Sequence, residues 1–426
     1  MVHCASDPEV KILIVSYSDS VGGAGRAAYR LHKALLAAGH QSRMRVRLKK
    51  SDDPTVIGDV SGGAKAVTAM RWRAGYALNA LQDRTDQGLQ STNWLPSSWA
   101  DEINASDADV VNLHWICGET MSISDIGRIK KPVAWTLHDM WPFCGSEHYT
   151  SDSADARWAV GYRRNNRDQG DTGWDLARWT AKRKAKAWRR PMHIISPSNW
   201  LGSCARRSEL FRDWPVHVIP NPLDTEVFRP LDRHFARDVL RLPQDKKIVL
   251  FGAIGGSSEP RKGYQHLRRA LDILANTNNT QDFTCVVFGQ SRPPDGGGLP
   301  IDSVWTGHVS DDTTLALLYN SADVMVVPSE QENLPQTATE AQACGCPVVA
   351  FDCTGIPDVV IHGTTGLMAS AYDPTQLASA IFDLCRTPGA FESMSAAART
   401  RAVCSWSETA VAREYISVFS NMTHST

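Results

Sequence analysis

The 426-residue chain predicts an α/β protein built from two doubly wound parallel sheets, and three observations lead there. Short apolar runs rich in β-branched residues alternate with helical segments along the first half, the pattern of buried parallel strands joined by crossover helices. After the run Val216–Pro230, which carries three prolines and reads as a crossing between domains, a second series of the same kind starts afresh. No single core extends over this length, so two domains of about 200 residues each follow. The expected division is 1–215, 216–405, and a C-terminal helix over 406–426 that crosses back to the first domain.

In chain order, Val10–Ser16 (VKILIVS) reads as the first strand. The turn SDSVGGAG follows, then an amphipathic helix from about Arg26 to Ala38 that stops at Gly39. Met44, Val46 and Leu48 alternate with Arg43, Arg45 and Arg47, which suits a second strand with one wet face. Further strands are readable at Asp109–Leu113, Val133–Leu137 and His193–Ser196. In the second half Ile248–Phe251, Phe283–Phe288, Val324–Val327 and Val348–Phe351 repeat the scheme. Between the last two, Pro335 opens a helix, and Gly345 with Pro347 just beyond stops it. Open α/β sheets bind ligands outside the C-terminal ends of their strands, so the two halves predict a cleft lined by the turns that follow the strands.

Composition excludes several classes. A net charge of -1 argues against a general nucleic-acid binder. No apolar run reaches membrane-spanning length, and MVHCASDPEV lacks the regions of a signal peptide, so a cytoplasmic protein is expected. Ten scattered cysteines point to reduced, mostly buried thiols. The segment 157–190 holds eleven Arg or Lys against three Asp. Trp174, Ala177, Ala181, Ala185 and Trp188 share one helical face there, which predicts packing by that stripe under a solvated basic face. The same basic face suits anionic lipid head groups or a lipid-linked diphosphate. Twelve of the fourteen tryptophans precede Pro215, a hint of sugar-stacking surface in the first half. Cys144, His148 and Asp152 lack the second Cys or His pair that a zinc site needs, so no metal is expected.

The candidate chemistry sits at the strand ends. Glu332 and Glu340 flank the loop and helix after Val324–Val327, with Glu340 about 7.5 Å along the helix axis from Pro335. Helix amides there would face a diphosphate, while the carboxylates accept hydrogen bonds from sugar hydroxyls. Arg261 and Lys262 stand before another helix, where a basic pair opposes the dipole unless an anion is present. Gly22, Gly23 and Gly25 precede the first helix, with amides able to approach a phosphate or sugar closely. Gly23 to Ala28 also matches Gly-x-Gly-x-x-Ala, and Arg43, Arg45 or Arg47 would suit the extra phosphate of NADP. Against an oxidoreductase, the glycines come six residues after the strand, and no acidic residue follows near twenty positions on. His114 and His138 each follow an apolar strand, and His138 with Asp139 reads as an oriented pair.

The Glu-x7-Glu pair in PSEQENLPQTATEAQACGCPVVAF, with GGAGR, TLHD, PSNWL, IPNPLD, RKG and TGHVS in the same order, resembles the retaining glycosyltransferases of family 4. The likeness is nearest to bacterial members that build cell-surface polysaccharides. It implies the GT-B fold, two Rossmann-like doubly wound domains facing a central cleft. It also implies a nucleotide-sugar donor, a glycan or lipid-linked acceptor, retention at the anomeric carbon and no obligatory metal. Carried onto this chain, the resemblance assigns Gly22, Gly23 and Gly25 to donor phosphate and acceptor, and His138 to the donor sugar. Arg261 and Lys262 fall at the diphosphate with the helix amides after Glu332; Asn333 and Leu334 fall at the donor, Glu332 at the sugar hydroxyls, Glu340 at the ribose, and the backbone of His308 and Val309 at the nucleobase. The family's arginine after the first strand of the second domain is absent, since Ala253 follows Gly252. Either Arg261 takes over that charge or phosphate binding is organised differently here, and the absence also prompts the alternative of a nucleotide- or glycan-binding module without turnover.

Overall fold

Among the described residues nine strands precede residue 220: β1 (Lys11–Ser18), β2 (Gln41–Leu48), β3 (Val56–Ile57), β4 (Gln82–Asp83), β5 (Val110–Leu113), β6 (Val133–Thr136), β7 (Thr172–Gly173), β8 (His193–Ser196) and β9 (Val216–Val218). Seven of them form one parallel sheet in the order β3-β2-β1-β5-β6-β8-β9, while β4 and β7 pair antiparallel apart from it. The computed structural model describes residues 9–58, 60–84, 88–252, 255, 259–276, 282–293 and 298–424. The chain divides into unit 1, Met1–Pro222 with Val411–Thr426, and unit 2, Leu223–Ala410.

Both faces of β1 are buried, which is why its sequence is a continuous apolar run. Ile12 and Ile14 pack with Leu31 and Leu35 of helix Gly22–Ala37 and with Tyr415 and Phe419 of the C-terminal helix Glu408–His424. Leu13 and Val15 face Trp99, Ile103, Val111 and Trp135 on the other side. The division at Pro222 corrects the expected boundary at 215. Val216 pairs in register with Ile194, so the apolar start of the crossing completes the first sheet before the prolines lead away.

Unit 2 contains β10 (Lys247–Gly252), β11 (Phe283–Phe288), β12 (Asp302–Gly307), β13 (Val324–Val327), β14 (Val348–Asp352) and β15 (Gly366–Ser370). They form a parallel sheet in the order β12-β11-β10-β13-β14-β15. Ile248 and Leu250 pack on one side, Val249 and Phe251 on the other. In each sheet the strand order reverses once, between β1 and β5 and between β10 and β13. Such reversal points leave room at the strand C-termini because successive connections depart to opposite sides. The cysteines among the described residues are free, and all but Cys353 and Cys404 are buried.

Candidate functional site

At the unit 2 reversal point, the turns after β10, β13 and β14 close on Glu332. Gly263 has φ +70°, and a Cβ on it would lie 1.8 Å from the Pro328 carbonyl oxygen, so only glycine lets these two turns approach. The Glu330 amide donates to the Arg261 carbonyl at 2.9 Å, and Arg261 Nη1 donates to the Gln331 carbonyl at 2.6 Å. These contacts bring Lys262 Nζ to 2.6 Å from Glu332 Oε1 and Arg261 Nη1 to 3.7 Å from Oε2, while Ser329 Oγ donates to Oε1 at 3.1 Å. From the far side Thr354 Oγ1 accepts from the Glu332 amide at 3.0 Å, and the Gly355 amide donates to the Glu332 carbonyl at 2.9 Å. The anion that the basic pair demands is therefore the protein's own carboxylate. Burial pushes the Glu332 carboxyl up, but Lys262 and Arg261, with hydrogen bonds from Lys262 and Ser329, outweigh it and hold the group below its ordinary value.

Glu340 lies in helix Gln336–Ala343, buried, with Tyr319 Oη donating to its Oε2 at 2.8 Å. Asn333 and Leu334 are also buried, Leu334 within the apolar core of unit 2. His308 is exposed in the turn after β12, and Val309 packs partly onto the same core. Ala253 lies outside the described residues.

The unit 1 reversal point is organised by neutral rings. Hydrogen bonds from the Tyr17 amide to the Trp115 carbonyl, 2.8 Å, and from the His114 amide to the Val15 carbonyl, 2.9 Å, keep the ends of β1 and β5 together. His114 Nδ1 lies 2.9 Å from His138 Nε2, across the neighbouring strands β5 and β6. The expected His138–Asp139 pair is corrected. Asp139 points away from His138 and accepts from His148 Nδ1 at 2.6 Å, Trp115 Nε1 at 2.9 Å and the Trp141 amide at 3.0 Å. β6 ends at Thr136, and in the bend that follows the two side chains take different partners. His148 continues to Ser91 Oγ at 2.8 Å, and Asp152 accepts from Trp200 Nε1 at 2.8 Å.

The glycine turn also differs from expectation: Gly22, Gly23 and Gly25 belong to the first turn of helix Gly22–Ala37 rather than to a loop ahead of it. First-turn amides lack intrahelical partners, so poor helix formers are tolerated there. Gly25 packs close to β1, where a Cβ would stand 3.0 Å from the Ser18 carbonyl oxygen.

In the basic segment, helix Leu176–Ala187 buries Leu176, Ala177, Thr180 and Lys184, with buried Trp188 following, and leaves Ala185 and Trp174 exposed. The predicted stripe is thus buried only at Ala177 and Trp188, while Ala181 is half-buried. Lys184 is wholly enclosed: its ammonium donates to the carbonyls of Trp141, Cys144 (3.1 Å) and Gly145 (2.8 Å) and lies 3.7 Å from the Trp141 ring centroid. Arg157 pairs with Asp175, and Arg183 donates to the Thr92 and Asn93 carbonyls, so part of the basic charge is spent internally. Trp135, Trp141 and Trp158 are core residues, leaving fewer tryptophans for a sugar-stacking surface. No described helix is long and apolar enough to cross a membrane.

Residues 21–227 match the family model Glycosyltransferase Family 4, and residues 245–387 match Glycosyl transferases group 1. The chain has the GT-B fold of the family 4 glycosyltransferases. Over 203 residues it is 34% identical to the D-inositol 3-phosphate glycosyltransferases of Mycobacterium tuberculosis and Mycobacterium bovis, a stretch that is 46% of this chain and 42% of those relatives. The GT-B likeness extends over nearly the whole chain in solved structures. Sucrose-phosphate synthase of Thermosynechococcus elongatus aligns with a TM-score of 0.66 at 19% identity, covering 98% of this chain and 100% of that one. A glycosyltransferase of Rickettsia africae gives 0.65 at 15%, covering 98% and 100%. Anabaena HepE in complex with UDP and glucose gives 0.63 at 14%, covering 97% and 100%. Sequence reasoning missed Ser329, Thr354 and Gly355 around Glu332, and Asn112 behind His114. A Thr-Gly just after the apolar run Val348–Phe351 is the local signal that marks the second of these turns.

Proposed function

We propose that this chain is a retaining glycosyltransferase that moves a hexose-type sugar from a nucleotide diphosphate to an acceptor hydroxyl in polysaccharide biosynthesis. The observation that carries the reading is the convergence of Arg261 and Lys262 on Glu332 beside helix Gln336–Ala343. Departure of a diphosphate builds negative charge on its oxygens, and preorganised cations lower the barrier by meeting that charge without rearrangement. Lys262 and Arg261 serve this role, trading their carboxylate partner for the diphosphate. Glu332, kept ionised, is an acceptor-only group suited to sugar hydroxyls. Glu340, oriented by Tyr319, takes the ribose hydroxyls, and the backbone of His308 and Val309 takes the base. Gly22, Gly23 and Gly25 offer first-turn amides to phosphate or acceptor, and His138 contacts the donor sugar.

Neither glutamate acts as a glycosidase-type nucleophile, because that chemistry needs two carboxyl groups flanking one bond, and Glu340 is committed to ribose. No metal is required in this scheme. The acceptor is a glycan or lipid-linked saccharide, met on the cytoplasmic side. Lys182, Lys186, Arg189 and Arg190, which are exposed, supply the face toward anionic lipid. Among the proteins it resembles, an inositol-phosphate glycosyltransferase and a structure in complex with UDP and glucose support a nucleotide-sugar donor.

Thermal shifts with UDP, GDP and ADP, then their sugars, on wild type and Glu340→Ala test the donor half of the reading. One nucleotide should stabilise the wild type and lose its effect in the variant; stabilisation by NADP alone would replace the reading with an oxidoreductase. Lys262→Ala should lower turnover at least about a hundredfold, the scale of one preorganised donor. Near-wild-type turnover would remove Lys262 from the site, and nucleotide binding without transfer by the wild type would leave a binding module.

A further inference from the structure

The hydrogen bonds beneath His138 determine which of its nitrogens carries the proton. Asn112, wholly buried in β5, places Nδ2 3.2 Å from the Ala134 carbonyl oxygen and 3.1 Å from Thr136 Oγ1. A carbonyl oxygen only accepts, so the amide nitrogen must face Ala134, and the amide oxygen faces the other way. That oxygen, Asn112 Oδ1, lies 2.8 Å from His114 Nε2. It also only accepts, so His114 Nε2 holds the proton. Burial and the neighbouring His138 keep the His114 ring well below its ordinary pKa; enclosure holds His138 at about 4, Asp139 countering only in part. Both rings are therefore neutral near pH 7 and carry one proton each. His114 Nδ1 is left with its lone pair, aimed at His138 Nε2 2.9 Å away, so His138 must donate from Nε2. His138 Nδ1 has no hydrogen-bond partner among the described residues and is not among the buried unpaired atoms, so it opens to solvent.

We propose that Asn112 is a positioning residue that acts through His114 to lock His138 as the Nε2–H tautomer, making the outward Nδ1 a hydrogen-bond acceptor for a ligand hydroxyl. The chain of donors starts at a backbone carbonyl, which cannot reverse its role, so the polarity of the whole relay is set by the fold. His138 then recognises a polyol and does not donate a proton to a phosphate oxyanion or to a leaving group. That the polyol is the donor sugar rests on the function proposed above; the tautomer does not.

The experiment is long-range proton–nitrogen NMR on the full chain with nitrogen-labelled histidine near pH 7, in wild type, Asn112→Leu and Asn112→Asp. His138 in the wild type should show a protonated, pyrrole-type Nε2 and a bare, pyridine-type Nδ1. A protonated Nδ1, or a ring averaged between tautomers, overturns the proposal whatever the enzyme's activity. Asn112→Leu should release the lock and average the His138 signals, whereas Asn112→Asp, whose carboxylate holds a second proton on the His114 ring and so makes its Nδ1 a donor, should shift the His138 proton to Nδ1. A wild-type pattern in either variant overturns the positioning role. If Asn112→Leu fails to fold, the wild-type and Asn112→Asp spectra still decide.

Discussion

The turns at the two sheet-order reversals are built from opposite materials. In unit 2 the cations face outward: the Lys262 and Arg261 side chains are 26% and 21% exposed, and they share a carboxylate that an arriving anion can replace. In unit 1 the ionisable groups stand behind a neutral front. Lys184 and Asp139 are buried, at 0% and 6% exposure, beneath a turn whose leading group is the uncharged His138. An ion pair whose cations are part-exposed is easier to exchange than an enclosed one, because an arriving anion reaches the cations while Ser329 still donates to the buried carboxylate. A fully enclosed group with all its donors satisfied is not exchangeable; it holds a turn in shape. Under the proposed function, unit 2 neutralises a ligand's charge and unit 1 reads a ligand's hydroxyls.

The comparison breaks most visibly if the backbone that presents the unit 2 cluster is disturbed. A Cβ on Gly355 would lie 1.7 Å from the Asn333 carbonyl oxygen, an approach no side chain can relieve. Gly355→Ala should cost about 3 kcal/mol or more in urea unfolding, as strain at a special backbone position does. Gly363→Ala, with φ +74° but nothing within 4 Å, should cost only about 1 kcal/mol. Equal losses would show that close approach is not what confines Gly355. Next in size, Glu332→Gln keeps the shape but removes the anion between Lys262 and Arg261, and should cost about 1–3 kcal/mol at pH 7. Because the carboxyl is held below its ordinary 4.5, its contribution is present above that value and is lost as pH falls through the folded-state pKa. Wild type and variant should therefore converge in acid; curves that stay parallel would deny the ion pair its structural weight.

How far all this was readable in advance follows from sequence distance. Strands buried on both faces announce themselves as unbroken apolar runs, and Glu332, Glu340 and Lys262 sit in short motifs whose strand-turn-helix setting is local. What stayed hidden are partners brought together only by strand adjacency. His114 meets His138 because β5 and β6 are neighbours, Asp139 takes His148 instead of the residue beside it, and Thr354 reaches Glu332 from the next strand over. Helical periodicity misplaced the buried face of Leu176–Ala187 for a different reason. Alanine fits inside or outside, so Ala181 and Ala185 carried no directional information, while Lys184 looked like surface charge until the carbonyls of Trp141, Cys144 and Gly145 were found around its ammonium.

That enclosed lysine supplies the smallest and most discriminating effect. Burial pulls Lys184 from its ordinary 10.5 to about 7, with Cys117, Cys144, Glu147 and Asp139 opposing the fall and Trp141 and Trp188 supplying ring faces. Between those two values the unfolded chain holds a proton that the folded chain lacks, so stability rises with pH there. Below about pH 7 both states are protonated and the cost of burying the charge is fully present. One proton of difference is worth at most about 1.4 kcal/mol per pH unit. Urea unfolding of wild type and Lys184→Met from pH 7 to pH 9 should show the wild type gaining on the variant by about 1 kcal/mol per unit, with other titrations cancelling in the difference. Parallel curves would mean that the three carbonyls keep the ammonium charged throughout, and that unit 1, like unit 2, depends on a standing cation behind its neutral histidines.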